Sequence, residues 1–186
     1  MSGKMSRRKF LSSAAAVAVA PMIVPGTALG LNGAVAPSER ITAAGIGIRG
    51  RGFDDLRNMI THKDVQVLAI CDIQKKQRYA VKAFVDERYG NKDCALYRDL
   101  RELLARPDID AVLIGTGDRW HALASILAMR AGKDVYCEKP ACLTMAQGQA
   151  VVETARRYGR VYQTGAQRLS EPPHVFAMEL ARSGRL

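Results

Sequence analysis

Short runs of apolar residues alternate with longer segments that are apolar on one side only. Residues 41–45, 67–71, 111–115, 134–137 and 161–164 read as strands, with a weaker one at 95–97. Four of the runs are continuously apolar rather than alternating, the pattern of strands covered on both faces. Helical spacing predicts helices over residues 53–61, 75–89, 100–105, 122–131, 145–158 and 172–184. Gly90, Gly132 and Gly159 stand just past three of these, where a left-handed residue ends a helix. Asp99 and Thr144 stand where N-caps belong. Strand and helix in alternation, with short links, give an α/β fold built on a doubly wound, mainly parallel sheet.

In such sheets ligands bind outside the carboxyl ends of the strands. The stretches 46–52, 72–75, 116–121, 138–140 and 165–168 follow strands and are expected to converge on one crevice. The motif Gly45-x-Gly47-x-x-Gly50 runs from the end of the first strand into the first of these stretches, ahead of a helix, and Asp72 follows the next strand. Gly45 is expected to permit the turn, Gly47 to let backbone approach phosphate oxygens, and Gly50 to let the helix pack close. The helix start would direct free N–H groups and its positive dipole end at an anion. Ordinary glycine turns share this pattern. Asp72 is suited to the ribose hydroxyls of NAD, or is a solvated strand-end acid. Lys75, Lys76, Arg49 and Arg51 are equally placed to receive the 2′-phosphate of NADP, so the cofactor is NAD or NADP. In Glu138-Lys139-Pro140 the proline constrains the residue before it to extended geometry. Lys139 is thereby held at a strand end, where an amine can hydrogen-bond a substrate hydroxyl and join in proton transfer; a surface lysine before a turn proline is the alternative.

Charge and the chain ends refine this picture. Ser6-Arg7-Arg8-Lys9-Phe10-Leu11 has the twin-arginine form, and the Ala/Val-rich stretch 13–24 after it is shorter than the roughly 20 residues of a membrane span. Residues 1–36 are therefore expected to be an export signal, cleaved or kept as an anchor, and the protein to be periplasmic. Of the net charge of +10, this leader supplies Lys4, Arg7, Arg8 and Lys9 with no acid, and the rest is spread out. No basic block alternates with aromatics, which argues against nucleic acid. Cys71, Cys94, Cys137 and Cys142 show no CxxC pair and no His at ligand spacing, so no metal site is expected.

The set Gly45-x-Gly47-x-x-Gly50, Asp72, Tyr97-x-Asp99, Thr116…His121, Glu138-Lys139-Pro140 and Gln167-Arg168 resembles the glucose-fructose oxidoreductase/inositol dehydrogenase (Gfo/Idh/MocA) family. The resemblance runs from about Ile41 to Leu186. It implies an N-terminal Rossmann domain over residues 37–170, with 171–186 entering a second α/β domain. It also implies hydride transfer between NAD(P) and a hydroxyl-bearing carbon of a sugar, cyclitol or derivative. By resemblance, Lys139 is catalytic, touching substrate and nicotinamide. Gly45, Gly47, Ile48, Arg49, Gly50, Asp72, Thr116, His121, Glu138 and Pro140 join it around the cofactor. Twin-arginine members occur in the family, and the full-length form is expected to be a homo-oligomer. Two departures stand out. Thr116-Gly117 replaces a frequent Thr-Pro, and the family's Asp/His motif of the second domain has no counterpart before Leu186; His62 and His174 do not match it. The expectation is a truncated chain that binds a dinucleotide without turnover and exposes an apolar patch. The rival readings are a stand-alone dinucleotide binder and a Rossmann-type methyltransferase.

Overall fold

A computed structural model describes residues 26–31 and 35–185. The twin-arginine run and the apolar stretch after it lie outside the described residues. Two compact units divide at Glu39 and Arg40. Among its described residues the first has two short 3-10 turns, Gly26–Leu29 and Pro37–Glu39.

The second unit is a six-stranded parallel sheet with helices on both faces. The strands are β1 (Ile41–Ile46), β2 (Val65–Cys71), β3 (Ala95–Tyr97), β4 (Ala111–Ile114), β5 (Asp134–Glu138) and β6 (Tyr162–Gly165). Their order across the sheet is β3-β2-β1-β4-β5-β6, every pairing parallel. Between them run α1 (Arg51–Met59), α2 (Lys75–Tyr89), α3 (Leu100–Leu104), α4 (His121–Arg130) and α5 (Met145–Tyr158), and α6 (Pro172–Arg182) follows β6. Parallel neighbours need a crossover, and helices supply it here. The chain winds from β1 outward to β3, returns past β1 to β4, and winds the other way. The direction therefore reverses between β1 and β4.

Each face has its own core. On one, Leu56 of α1 and Val81 and Val85 of α2 pack on Val67, Ile70 and Leu113. On the other, Leu103 of α3, Ala124, Ala128 and Met129 of α4 and Val151 of α5 pack on Ala44, Ile46, Val112 and Ile114. Neighbouring positions on a strand feed opposite cores, which is why these strands read as unbroken apolar runs. Burial pushes the thiol of Cys71 up to about 12 and that of Cys94 to about 11, leaving both as small core residues.

Local sequence fixes the helix ends. Asp99 accepts from Arg101 N at 2.9 Å, and Thr144 Oγ1 accepts from Gln147 N at 3.2 Å. Gly90 and Gly159 close α2 and α5 in the left-handed region. Most elements keep their place, with boundaries that move by one or two residues from the sequence expectation. β2 begins two residues earlier, α1 begins at Arg51 because Gly50 is its N-cap, and β5 runs on through Glu138. The helix α6 has no buried residue, and Phe176 on it is 65% exposed.

Candidate functional site: the carboxyl rim of the sheet

Strand register brings the candidate residues level. Ile46 pairs with Cys71 and with Ile114; Cys71 pairs with Tyr97, Ile114 with Cys137, and Cys137 with Thr164. These six form one row across the sheet. The residues that follow them on the four central strands are Asp72, Gly47, Gly115 and Glu138. Neighbouring strands lie about 4.8 Å apart, so Asp72 and Glu138 stand roughly 14 Å from each other along one rim. The reversal between β1 and β4 lies in the middle of that rim, the place where open α/β sheets form a ligand crevice.

The glycines close the turn differently from the sequence expectation. Gly47 has φ +69°, and a methyl group built on it would stand 2.7 Å from Thr116 Cα and 2.8 Å from Thr116 N. Backbone therefore passes backbone where β1 and β4 diverge. Gly45 does not make the turn; it lies inside β1, and the Cβ it lacks leaves room for Ile48. Close helix packing belongs to Gly52 rather than Gly50. A Cβ on Gly52 would stand 3.1 Å from Gly115 Cα, whereas one on Gly50 would meet nothing within 4 Å. The expected free amides are displaced as well. Gly52 N donates to Arg49 O at 3.2 Å and Phe53 N to Gly50 O at 3.0 Å, so the turn takes up the second and third donors of α1 and leaves that of Arg51. Among the described residues the amides of Ile48, Gly50 and Arg51 donate to no acceptor. Ile48 is buried as a whole residue, backbone included, whereas Gly50 and Arg51 are exposed, so the amides of those two remain for an anion.

A cavity of about 300 Å³ lies over this turn, lined by Gly47, Arg49, Asp72, Gln74, Thr116 and Trp120 among others. Asp72 Oδ1 accepts from Gln74 N at 2.8 Å, which fixes the β2 turn and leaves Oδ2 for a ligand hydroxyl. Lys75 leans toward Tyr79, its Nζ 5.8 Å from the ring centroid. Thr116 Oγ1 is buried with no hydrogen-bond partner among the described residues, so the cavity wall carries an unsatisfied polar atom. A backbone cradle that a Cβ would fill, two unpartnered amides, an orphaned hydroxyl and a strand-end carboxylate together fit the pyrophosphate and ribose of a dinucleotide.

Three of the five predicted loops line this cavity; 138–140 and 165–168 do not, and Gln167 lines a separate cavity with Arg51 and Asp55. His121 is the link. It is 2% exposed, behind the crevice rather than on its wall, with Nδ1 2.7 Å from Pro140 O and Nε2 2.9 Å from Thr116 O. Both partners are acceptors, so the ring ties the two loops fully only with a proton on each nitrogen. Lys139 is exposed, its peptide bond to Pro140 is cis, and its backbone N donates to Glu138 Oε2 at 3.3 Å. Glu138 points inward, 5% exposed, and its Oε1 accepts from the Gln167 amide. Sequence reasoning passed over Trp120 and the Gly52–Gly115 contact. The first is an aromatic in a strand-end loop; the second joins glycines far apart in the chain.

A family model described as "Oxidoreductase family, NAD-binding Rossmann fold" matches residues 40–166. An α-N-acetylgalactosaminidase of Shewanella oneidensis is 33% identical, over 81% of this chain and 37% of that protein. An inositol 2-dehydrogenase of Salmonella paratyphi B is 32% identical, over 76% of this chain and 41% of that one. The myo-inositol 2-dehydrogenase of Lactobacillus plantarum shares the fold with a TM-score of 0.69 at 23% identity, over 78% of this chain and 42% of its own. The chain thus spans about two fifths of the length of these relatives. With that match over the whole parallel sheet and its glycine turn, the chain belongs to the Gfo/Idh/MocA oxidoreductase family and has its NAD(P)-binding Rossmann fold.

Proposed function

We propose that this chain is the cofactor-holding part of an exported oxidoreductase. It would transfer hydride between NAD(P) and a hydroxyl-bearing ring carbon of a sugar, cyclitol or derivative. The observation that carries the reading is the level rim: the Gly47 turn, Asp72, Thr116 and the Glu138-Lys139-Pro140 turn stand on adjacent strand ends in the order a dinucleotide requires. When bound, the dinucleotide accepts or returns the hydride. The protein's own part is to hold and orient. The Gly50 and Arg51 amides face the pyrophosphate, Asp72 takes the ribose hydroxyls, and Lys139 hydrogen-bonds the substrate hydroxyl and passes its proton. The two relatives' names, an inositol dehydrogenase and an N-acetylgalactosaminidase, both concern rings rich in secondary hydroxyls, which supports a cyclic polyol as substrate.

Export through the twin-arginine route, a homo-oligomeric full-length form and absence of turnover by the 186-residue chain alone belong to the same proposal. The route carries folded proteins, which suits a cofactor loaded before export. The relatives' greater length supports a substrate wall outside these residues.

Trp120 is the chain's single tryptophan and borders the cavity. NADH or NADPH is expected to quench its emission saturably and to gain sensitised nicotinamide emission. Absence of both signals up to millimolar dinucleotide sinks the reading. With a panel of inositols and N-acetylhexosamines, dinucleotide binding without reduction is expected. Turnover by the chain alone would keep the dehydrogenase assignment and overturn the claim that it is inactive.

A further inference from the structure

Behind the Lys139 turn, on the side away from the crevice, two carboxyl groups meet. Asp55 comes from α1 and Glu138 from the end of β5, and their side chains are 9% and 6% exposed. Arg51, itself half exposed, is the cation beside them, with Nη2 2.9 Å from Asp55 Oδ1 and Nε 4.0 Å from Glu138 Oε1. Two ionised carboxylates here would leave a net negative charge away from water, which one partly solvated guanidinium cannot offset.

The hydrogen bonds say where the missing proton sits. Both oxygens of Glu138 already accept, Oε1 from the Gln167 amide and Oε2 from Lys139 N at 3.3 Å. Glu138 is thus the ionised partner. Asp55 Oδ1 takes the Arg51 guanidinium, but Asp55 Oδ2 is buried and meets no donor, although the carboxyl lies within hydrogen-bonding reach of Glu138. An orphaned acceptor facing a carboxylate is satisfied when it becomes a donor.

We propose that Asp55 Oδ2 carries a proton which it donates to Glu138, and that this hydrogen-bonded pair positions the Glu138-Lys139-Pro140 turn. Its loss would put two like charges face to face on one side of Glu138, while Gln167 and the Lys139 amide hold the other side. The strain would pass directly into the backbone that presents Lys139. Asp55 is a positioning residue in this account, because it touches neither cofactor nor substrate. The purpose given to the turn rests on the functional reading above; the shared proton does not.

Burial, the hydrogen bond to Glu138 and the Glu138 charge together push the Asp55 carboxyl up to about 6, against the opposing pull of Arg51. The other groups facing the pair are the phenol of Tyr136 on β5 and the neutral Gln167 amide, and His62 lines the same small cavity. The test needs no cofactor. In the isotope-labelled 186-residue chain, the Lys139 amide resonance reports directly on Glu138 Oε2. Between pH 4.5 and 8 it is expected to shift with a midpoint near 6, and Asp55→Asn, a permanent donor, is expected to abolish that step. The carbon resonances of the two carboxyls in the unsubstituted chain give a check independent of any variant, with one group expected to hold its proton to about pH 6. Full ionisation of both carboxyls by pH 5, or a Lys139 step that persists in Asp55→Asn, overturns the proposal. Failure to bind NADH leaves these titrations readable, so the two readings fail separately.

Discussion

Gly47 shows how much one position decides. Its backbone is in the left-handed region, and the space a side chain needs is filled by Thr116, by its Cγ2 and also by its backbone Cα and N, which cannot turn aside. Gly47→Ala must therefore strain φ and pry β1 from β4 at once. The expected outcome is a loss of at least tenfold in NADH affinity and of about 1–3 kcal/mol in stability, read by Trp120 quenching and by denaturant unfolding. Unchanged affinity in a folded Gly47→Ala chain would mean that the dinucleotide does not cross this turn. Gly52 and Gly115 are coupled in the same way, backbone on backbone. A glycine motif therefore names which residues are small, and the partner each must avoid is given only by the packing.

At the level of elements, the site is the set of loops that follow β1, β2, β4 and β5, and their mutual fastening matters more than any one of them. Asp99 and Thr144 start their helices from sequence alone, each by an interaction within three residues. His121 does something no local pattern reveals. It opens α4, yet its ring joins the loop after β4 to the loop after β5 through Thr116 O and Pro140 O. Removing it leaves a carbonyl of the paired loops without its donor and a cavity behind the crevice. His121→Ala is expected to cost about 2–4 kcal/mol and to lower dinucleotide affinity, because Thr116 and the Lys139 turn lose their common anchor. Denaturation and NADH titration check both effects. A variant as stable as the parent would show that the loops hold themselves in place.

For the molecule as a whole, the Asp55–Glu138 pair gives stability a definite dependence on pH. The Asp55 carboxyl is raised from 3.8 to about 6 in the folded state, so between those values the folded chain keeps a proton that the unfolded chain has released. Its contribution is present at the acid end and is lost as pH rises through about 6, opposite to the behaviour of an ion-paired carboxylate. The unfolding midpoint is expected to fall between about pH 5 and pH 7, with Asp55→Asn flattening that segment. A rising midpoint over that interval would contradict it. The exposed α6 belongs to this scale too, since nothing in the sheet unit buries it.

The sequence by itself determined the alternation of strand and helix, the two-sided burial, the cap residues and the identity of the strand-end loops. Each of these follows from periodicity or from interactions a few residues long. Only the tertiary structure decided that six strands come level in one row, that Gly52 rather than Gly50 packs against the end of β4, that His121 lies behind the crevice, and that Asp55 confronts Glu138. Those facts depend on pairing register and on which distant surfaces are pressed together. Neither is written in the spacing of residues along a chain, because both are settled by the packing of segments brought together only when the sheet forms.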